Sequence, residues 1–114
     1  MSAKQPSEKE LLKQVLEPLL DDFIYWFSRS LSLLESEKMP FLAEDEQTAL
    51  IAEIKSARDQ VSTAKMLFKA TEGEAGIDSK MLLPWHNLVA RCWDIAKAWR
   101  QYREQNSSSE EKSL

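Results

Sequence analysis

The reactive and aromatic side chains of this sequence are concentrated in one stretch, PWHNLVARCWDIAKAWR, which covers residues 84–100. It holds three of the four tryptophans, the only histidine, His86, and the only cysteine, Cys92. A thiol and an imidazole held together can support nucleophilic catalysis or bind a metal ion. The spacing argues against both, because two residues six positions apart on a helix point in directions that differ by about 120°.

The other residues do not predict a catalytic, metal or cofactor site either. A zinc site needs further cysteine or histidine ligands, and paired ligands on a helix lie three or four residues apart. The sequence has neither an EF-hand pattern nor a glycine-rich phosphate-binding motif. Asp21 and Asp22 are adjacent, which directs their carboxylates to different faces of a helix. We therefore predict no cofactor and expect that the protein is not an enzyme.

Most of the stretch has the spacing of a buried helix face. Trp85, Cys92 and Trp99 repeat every seven residues, and Leu88 and Ile95 form a second line beside them. Apolar residues at this spacing usually face a core. In that setting Cys92 is a small buried hydrophobic residue rather than a reactive thiol.

Trp93 does not belong to this face, since it lies about 100° from it around the helix. His86, Lys97 and Arg100 share its flank, and a tryptophan beside basic groups is typical of protein interfaces. Tyr25 is the lone aromatic residue on the polar face of the first predicted helix. These five residues are the predicted partner-binding residues. The alternative is that Trp93 only widens the core and that the cations are solvated.

A second interpretation is a pocket inside the helical domain that binds a small molecule or a pigment. Its lining would come from Trp26, Trp85, Trp99 and His86. Pockets of this kind are mostly apolar and aromatic, with a few polar groups that orient the ligand.

Three helices must position these side chains. Apolar residues recur at intervals of three and four over residues 7–36, 44–71 and 79–105. Helices joined by two short connections favour an antiparallel up-down-up three-helix bundle, so the fold class is all-α. Residues 1–6 are predicted to be a flexible lead, and the polar, serine-rich residues 106–114 a disordered tail.

Several residues mark the helix boundaries. Ser7 and Asp78 are suited to cap the first and third helices, and Gly73 is suited to end the second. Pro18 and Pro84 interrupt the helical pattern, because proline lacks an N–H group and clashes with the preceding turn. The sequence leaves open whether they kink their helices or divide them.

Bulk composition excludes several classes of protein. The formal net charge of −4 does not favour nucleic-acid binding, which needs basic surface. A single cysteine forms no intrachain disulfide, and the polar N-terminus lacks a signal peptide, so we expect a cytoplasmic protein. No apolar run approaches the ~20 residues that span a bilayer. Any membrane association would be peripheral and made through a partner.

Four segments resemble a known family. They are LLKQVLEPLLDDFIYWF, EQTALIAEIKSA, LFKATEGEAGID and LLPWHNLVARCW, which together cover roughly residues 10–95. In this combination they resemble a small cyanobacterial family of helical proteins of unknown function. The resemblance implies a cyanobacterial, cytoplasmic setting, near the photosynthetic membrane, and it supplies no catalytic residues.

The sequence as a whole thus predicts a three-helix bundle that acts as a non-enzymatic interaction or assembly protein. Its partner is expected to be another protein or further copies of the same chain.

Overall fold

A computed structural model describes residues 8–74, 77 and 79–112 of the protein. Three α-helices account for most of these residues, and none of the described residues belongs to a β-strand. The helices are α1, Glu8–Ser36; α2, Glu44–Ala70; and α3, Ser79–Lys112. The predicted all-α fold class is confirmed.

Contacts between the helices give their directions. Glu35 pairs with Lys55 at 3.7 Å, and Asp21 pairs with Lys65, so α2 runs antiparallel to α1. The Trp26 ring contacts the Trp93 ring, and Phe23, earlier in α1, contacts Trp85, earlier in α3. α3 therefore runs parallel to α1, which completes the predicted up-down-up arrangement.

The ends of α1 and α2 agree with the predicted ends to within one residue, whereas α3 continues to Lys112 instead of ending near residue 105. The segment 106–112 is polar but contains neither glycine nor proline. Each residue added to an existing helix gains a hydrogen bond without a new nucleation cost, so composition alone does not end α3. Some predictions lie outside the described residues: the flexible lead at 1–6, the Ser7 and Asp78 caps, and the tail at 113–114.

Neither proline divides its helix. α1 continues through Pro18, and α3 continues through Pro84. Packing begins close to each one, because Leu20 and Trp85 are both almost completely buried. Tertiary contacts on one face of a helix can offset the one hydrogen bond that proline removes.

The core lies along the middle of the bundle and matches the predicted faces of the three helices. Its largest fully buried side chains are Phe27, Phe68, Leu20, Met39, Ile54 and Val61. In α3, Trp85, Leu88 and Cys92 are buried, as the seven-residue spacing predicts, whereas Ile95 and Trp99 on the same two lines are only half-buried.

The two ends of the bundle depart from this pattern. Leu12 and Val15 continue the apolar face of α1 but are 57% and 62% exposed, and Tyr102 of α3 is also exposed. The molecule measures 73 × 34 × 19 Å, since the first turns of α1 and the last turns of α3 extend past the ends of α2. A periodic apolar face is buried only along the length at which a neighbouring helix covers it.

The connection between α1 and α2 is held by one buried amide, that of Gln47. Its Nε2 donates to the carbonyl oxygens of Leu34 and Glu37, both at 2.8 Å. Its Oε1 accepts the backbone N–H of Met39 at 2.9 Å. Carbonyls at the end of a helix have no partner within the helix, so Gln47 supplies partners that would otherwise be missing.

α2 ends in a Schellman motif. The N–H of Gly73 donates to the Phe68 carbonyl at 2.7 Å, and the N–H of Glu72 donates to the Lys69 carbonyl at 3.2 Å. The first residue in the left-handed region is Glu72, at φ 54°, followed by Gly73 at φ 87°. The predicted helix-ending glycine therefore stands one position after a residue that also needs a positive φ.

We expect Gln47→Ala to lower the free energy of unfolding by about 2–4 kcal/mol, because one backbone group at the end of α1 and two in the connection lose their partner. Gln47→Glu should lower it at least as much, since a carboxylate cannot donate to two carbonyls. Urea denaturation followed by circular dichroism measures both changes.

The matched control is Gln101→Ala on the exposed surface of α3, which should change the free energy of unfolding by less than about 0.5 kcal/mol. If Gln47→Ala were equally mild, the amide would not hold the connection.

We expect Glu72→Gly to raise the free energy of unfolding by about 0.5–1 kcal/mol, because glycine adopts a positive φ without steric cost. Ala52→Gly, at an exposed position inside α2, should instead lower it by about 1 kcal/mol. Thermal and urea unfolding of both variants test the difference in sign. Equal destabilisation by both substitutions would contradict the proposed role of the left-handed position.

Candidate functional site

A groove with a volume of about 400 Å³ runs lengthwise between α1 and α3. We call it the tryptophan–arginine groove. It is lined by Trp26, Arg29, Ser30 and Leu33 from α1, and by Cys92, Trp93, Ala96, Trp99, Arg100 and Arg103 from α3. The positions from each helix recur every three or four residues, so each wall of the groove is a single helix face.

Aromatic rings join the two walls at one end. The rings of Trp26 and Trp93 meet edge to face, with centroids 5.7 Å apart and planes at 87°. The Tyr25 ring also contacts the Trp26 ring, with 5.1 Å between their centroids. Trp93 is nevertheless 44% exposed, so a large aromatic surface is fixed in position while still open to solvent.

Arg29 is oriented by its neighbours on α1. Its Nη1 donates to the Tyr25 hydroxyl at 2.9 Å, and its guanidinium carbon lies 5.9 Å from the centroid of the Trp26 ring. The first contact joins residues four apart on one helix, and the second is a cation–π contact. Arg29 is therefore held above the aromatic rings at the edge of the groove.

The groove is basic although the chain is acidic. Three arginines line it, Arg29, Arg100 and Arg103, and no carboxylate is among the lining residues. Within the described part of the chain, none of these arginines lies within 4.0 Å of a carboxylate oxygen. The net charge of the chain is −4, so the groove has the opposite sign of charge from the chain as a whole.

Cys92 lies at the floor of the groove and is buried. Burial raises the pKa of its thiol, while a hydrogen bond with the Ser30 side chain and the nearby charge of Arg91 act in the opposite direction. A raised pKa keeps the sulfur protonated at neutral pH, so this thiol is a poor nucleophile.

The structure distributes the five predicted binding residues unevenly. Trp93 and Arg100 line the groove, and Tyr25 contacts its wall through Trp26 and Arg29. His86 and Lys97 are exposed on α3 but do not line the groove.

Three polar lining residues were not singled out in the sequence: Arg29, Ser30 and Arg103. A signal was present for the first two, since Trp26, Arg29, Ser30 and Leu33 follow the i, i+3, i+4, i+7 pattern of one helix face. The pattern does not reveal which part of α3 lies opposite this face of α1. Whether the face lines a groove depends on that part of α3.

The four residues of the pocket interpretation do not meet. Trp26 and Trp99 line the tryptophan–arginine groove. Trp85 is buried elsewhere in the core, where its Nε1 donates to Gln60 Oε1 on α2 at 3.1 Å. His86 is exposed next to it in sequence. Any small-molecule site at this face would therefore use Trp26, Trp93 and Trp99 instead of the predicted set.

The described residues contain no group of three or more histidine, cysteine, aspartate or glutamate side chains arranged to hold a metal ion. None of the described helices combines the length and the apolar character needed to cross a bilayer.

We expect Cys92 to react with iodoacetamide much more slowly in the folded than in the unfolded protein, because the thiolate is the reactive form and the folded-state pKa is raised. A raised pKa also means that the stability contributed by the protonated thiol is fully present below the unfolded pKa, about 8.5, and is lost as the pH rises through the folded pKa. Above pH ~8.5, the free energy of unfolding should therefore fall more steeply in the wild type than in Cys92→Ala.

Urea denaturation between about pH 7 and 10 gives the two slopes. Lys97→Cys, made in a Cys92→Ala background, supplies an exposed thiol on the same helix as the control. Equal alkylation rates for the native thiol and this exposed one would show that Cys92 is open to solvent.

Comparison with known proteins gives a family and no function. No curated protein matches the chain, and no solved structure matches it. One family model does match, and it covers residues 6–101 of the 114 residues. Its description is "Protein of unknown function (DUF2605)". Since the match covers well over half of the sequence, the chain belongs to the DUF2605 family.

Proposed function

We propose that this protein is a non-enzymatic interaction or assembly protein, and that it binds a protein partner through the tryptophan–arginine groove. The observation that carries the proposal is Trp93, which is 44% exposed and yet held in an edge-to-face contact with Trp26. A fixed aromatic side chain loses little conformational freedom when a partner covers it.

The composition of the groove supports a protein partner. Tryptophan, tyrosine and arginine supply most of the hot-spot residues at protein interfaces, and all three types occur in or beside this groove. An enzymatic role has less support, because the thiol at the floor is protonated and His86 lies outside the lining. The proposed setting is the cytoplasm, with any contact to a membrane made through the partner.

We expect Trp93→Ala/Arg100→Glu to abolish capture of the partner from a native lysate, because the double substitution removes the exposed ring and reverses one of the three groove charges. The measurement is affinity capture by tagged protein with quantitative mass spectrometry, with and without gently solubilised membranes. Circular dichroism establishes that the variant is folded.

The matched control is Met66→Ala/Lys69→Glu, which makes the same kinds of change on the exposed surface of α2. It should capture the partner as the wild type does. Equal recovery by all three proteins would remove the groove from the proposal. Loss of capture by the control alone would move the binding surface to α2.

A second candidate function is binding of a small molecule or pigment in the same groove. The observation in its favour is the volume of about 400 Å³, which falls within the range of small-molecule sites, about 300–1,000 Å³. Native mass spectrometry and absorbance of protein purified from its own host test this function. A bound mass that is absent from Trp93→Ala would favour it over a protein partner.

A further inference from the structure

We infer that the occupant of the tryptophan–arginine groove is an amphipathic α-helix of the partner protein, with an apolar face toward the tryptophans and aspartate or glutamate residues along its rim. The inference rests on the proposed function and adds the chemistry of the partner.

The walls of the groove favour a helix over an extended peptide. Both walls are helices, Trp26–Leu33 of α1 and Cys92–Arg103 of α3, whose backbone hydrogen bonds are made within each helix. The groove thus offers few backbone groups to an occupant. A segment buried there must satisfy its own backbone N–H and C=O groups, and a helix does so.

The spacing of the lining residues also fits a helix. On α1 the lining positions are 26, 29, 30 and 33, and on α3 they are 92, 93, 96, 99, 100 and 103. Rows of side chains three and four residues apart form the ridges against which another helix packs. From Cys92 to Arg103 the groove is about 16 Å long, which corresponds to about three turns of a bound helix.

The charge and hydrogen-bonding groups of the groove favour acidic residues on the rim of the bound helix. Guanidinium groups and indole N–H groups only donate hydrogen bonds, and most of the polar lining consists of these two types. No carboxylate lines the groove, so an occupant that carries carboxylates adds charged acceptors for these donors. Carboxylates pair with arginine in a two-pronged geometry that gives both strength and direction.

The same arginines can attract an anionic membrane, which is a different class of occupant. The net charge of −4 acts against this, because negative lipid surfaces bind basic segments and repel acidic ones. The aromatic lining of the groove, which lies between two helices, also suits an inserted helix better than a flat surface of headgroups.

A displayed library of random 16-residue peptides, selected against the full-length protein, tests the inference. We expect the enriched peptides to share apolar residues at i, i+3 or i+4, and i+7, with aspartate or glutamate beside them. For a synthetic peptide of the strongest sequence, fluorescence anisotropy should show at least a roughly tenfold weaker affinity for Arg100→Glu, because a close charge pair is lost. The charge control Lys69→Glu, on α2, should leave the affinity unchanged.

Rescue separates a direct charge pair from a structural effect. A peptide in which one rim glutamate is replaced by lysine should bind Arg100→Glu more tightly than it binds the wild type. A structural role for Arg100 would leave the order of the two peptides the same for both proteins.

The outcomes distinguish the inference from the proposed function. Enriched peptides that require Trp93 but lack acidic residues, or that bind Arg100→Glu as well as the wild type, would overturn the acidic helix and leave the proposed function standing. Failure to enrich any peptide that requires Trp93 would also overturn the inference, while the lysate capture decides the proposed function separately. Arginine-dependent sedimentation with vesicles of anionic phospholipid, with no acidic peptide enriched, would replace the helix by a lipid surface.

Discussion

The hydrogen bonds of Gln47 are the constraint on which the rest of the bundle depends. One side chain in the first turn of α2 binds the Leu34 carbonyl in the last turn of α1 and two backbone groups of the connection, those of Glu37 and Met39. The position of Leu34 along α1 is thereby fixed against α2. The same helix supplies one wall of the groove, with Trp26, Arg29, Ser30 and Leu33. Leu33 directly precedes the Leu34 carbonyl that Gln47 binds, so this wall ends next to the connection that Gln47 closes.

The parts of this fold that could be predicted are those that depend on one helix at a time. The spacing of Trp85, Leu88 and Cys92 predicted a buried face, and apolar residues at intervals of three and four predicted three long helices, although Pro18 and Pro84 left their continuity open. The exposure of Leu12 and Val15 could not be predicted, because it depends on where α2 ends in space. Gln47 gave no signal, since a glutamine at the start of a helix is usually exposed and its partners lie 13 and 10 residues earlier.

In the candidate site, too, the features of a single helix could be predicted and the contacts between helices could not. Trp93 stood out because its position on α3 did not match the core face, and the structure places it at the edge of a groove. The opposite wall of the groove, with Trp26 and Arg29, could not be predicted. It depends on how far α1 is offset along α3, and the spacing of residues within one helix does not give that offset. His86 was predicted to share a flank of α3 with Trp93, but it lies about two turns earlier along the helix. The groove extends in the other direction, toward Arg103, so His86 does not line it.

The groove also separates two roles of aromatic residues within one short segment of chain. Trp85 is buried and its indole N–H is satisfied by Gln60, so its contribution is to the stability of the bundle. Trp93, eight residues later, is 44% exposed and meets the Trp26 ring edge to face. The same residue type therefore serves packing at one position and remains open at the other, because Trp85 lies on the buried face of α3 with Cys92, whereas Trp93 lies about 100° from that face around the helix.

The odd number of helices in the bundle leaves one helix dipole without an antiparallel neighbour. Antiparallel neighbours cancel their dipoles, so α2 offsets one of the two parallel helices α1 and α3 and leaves the other uncompensated. The last turn of α1 has no basic residue to balance its negative end. A fourth helix antiparallel to α1 would bring its positive N-terminus to that end, with its first-turn carboxylates beside Arg100 and Arg103. Helix-end interactions of about 0.3–1 kcal/mol would then favour this direction of binding over the reverse by roughly two- to fivefold.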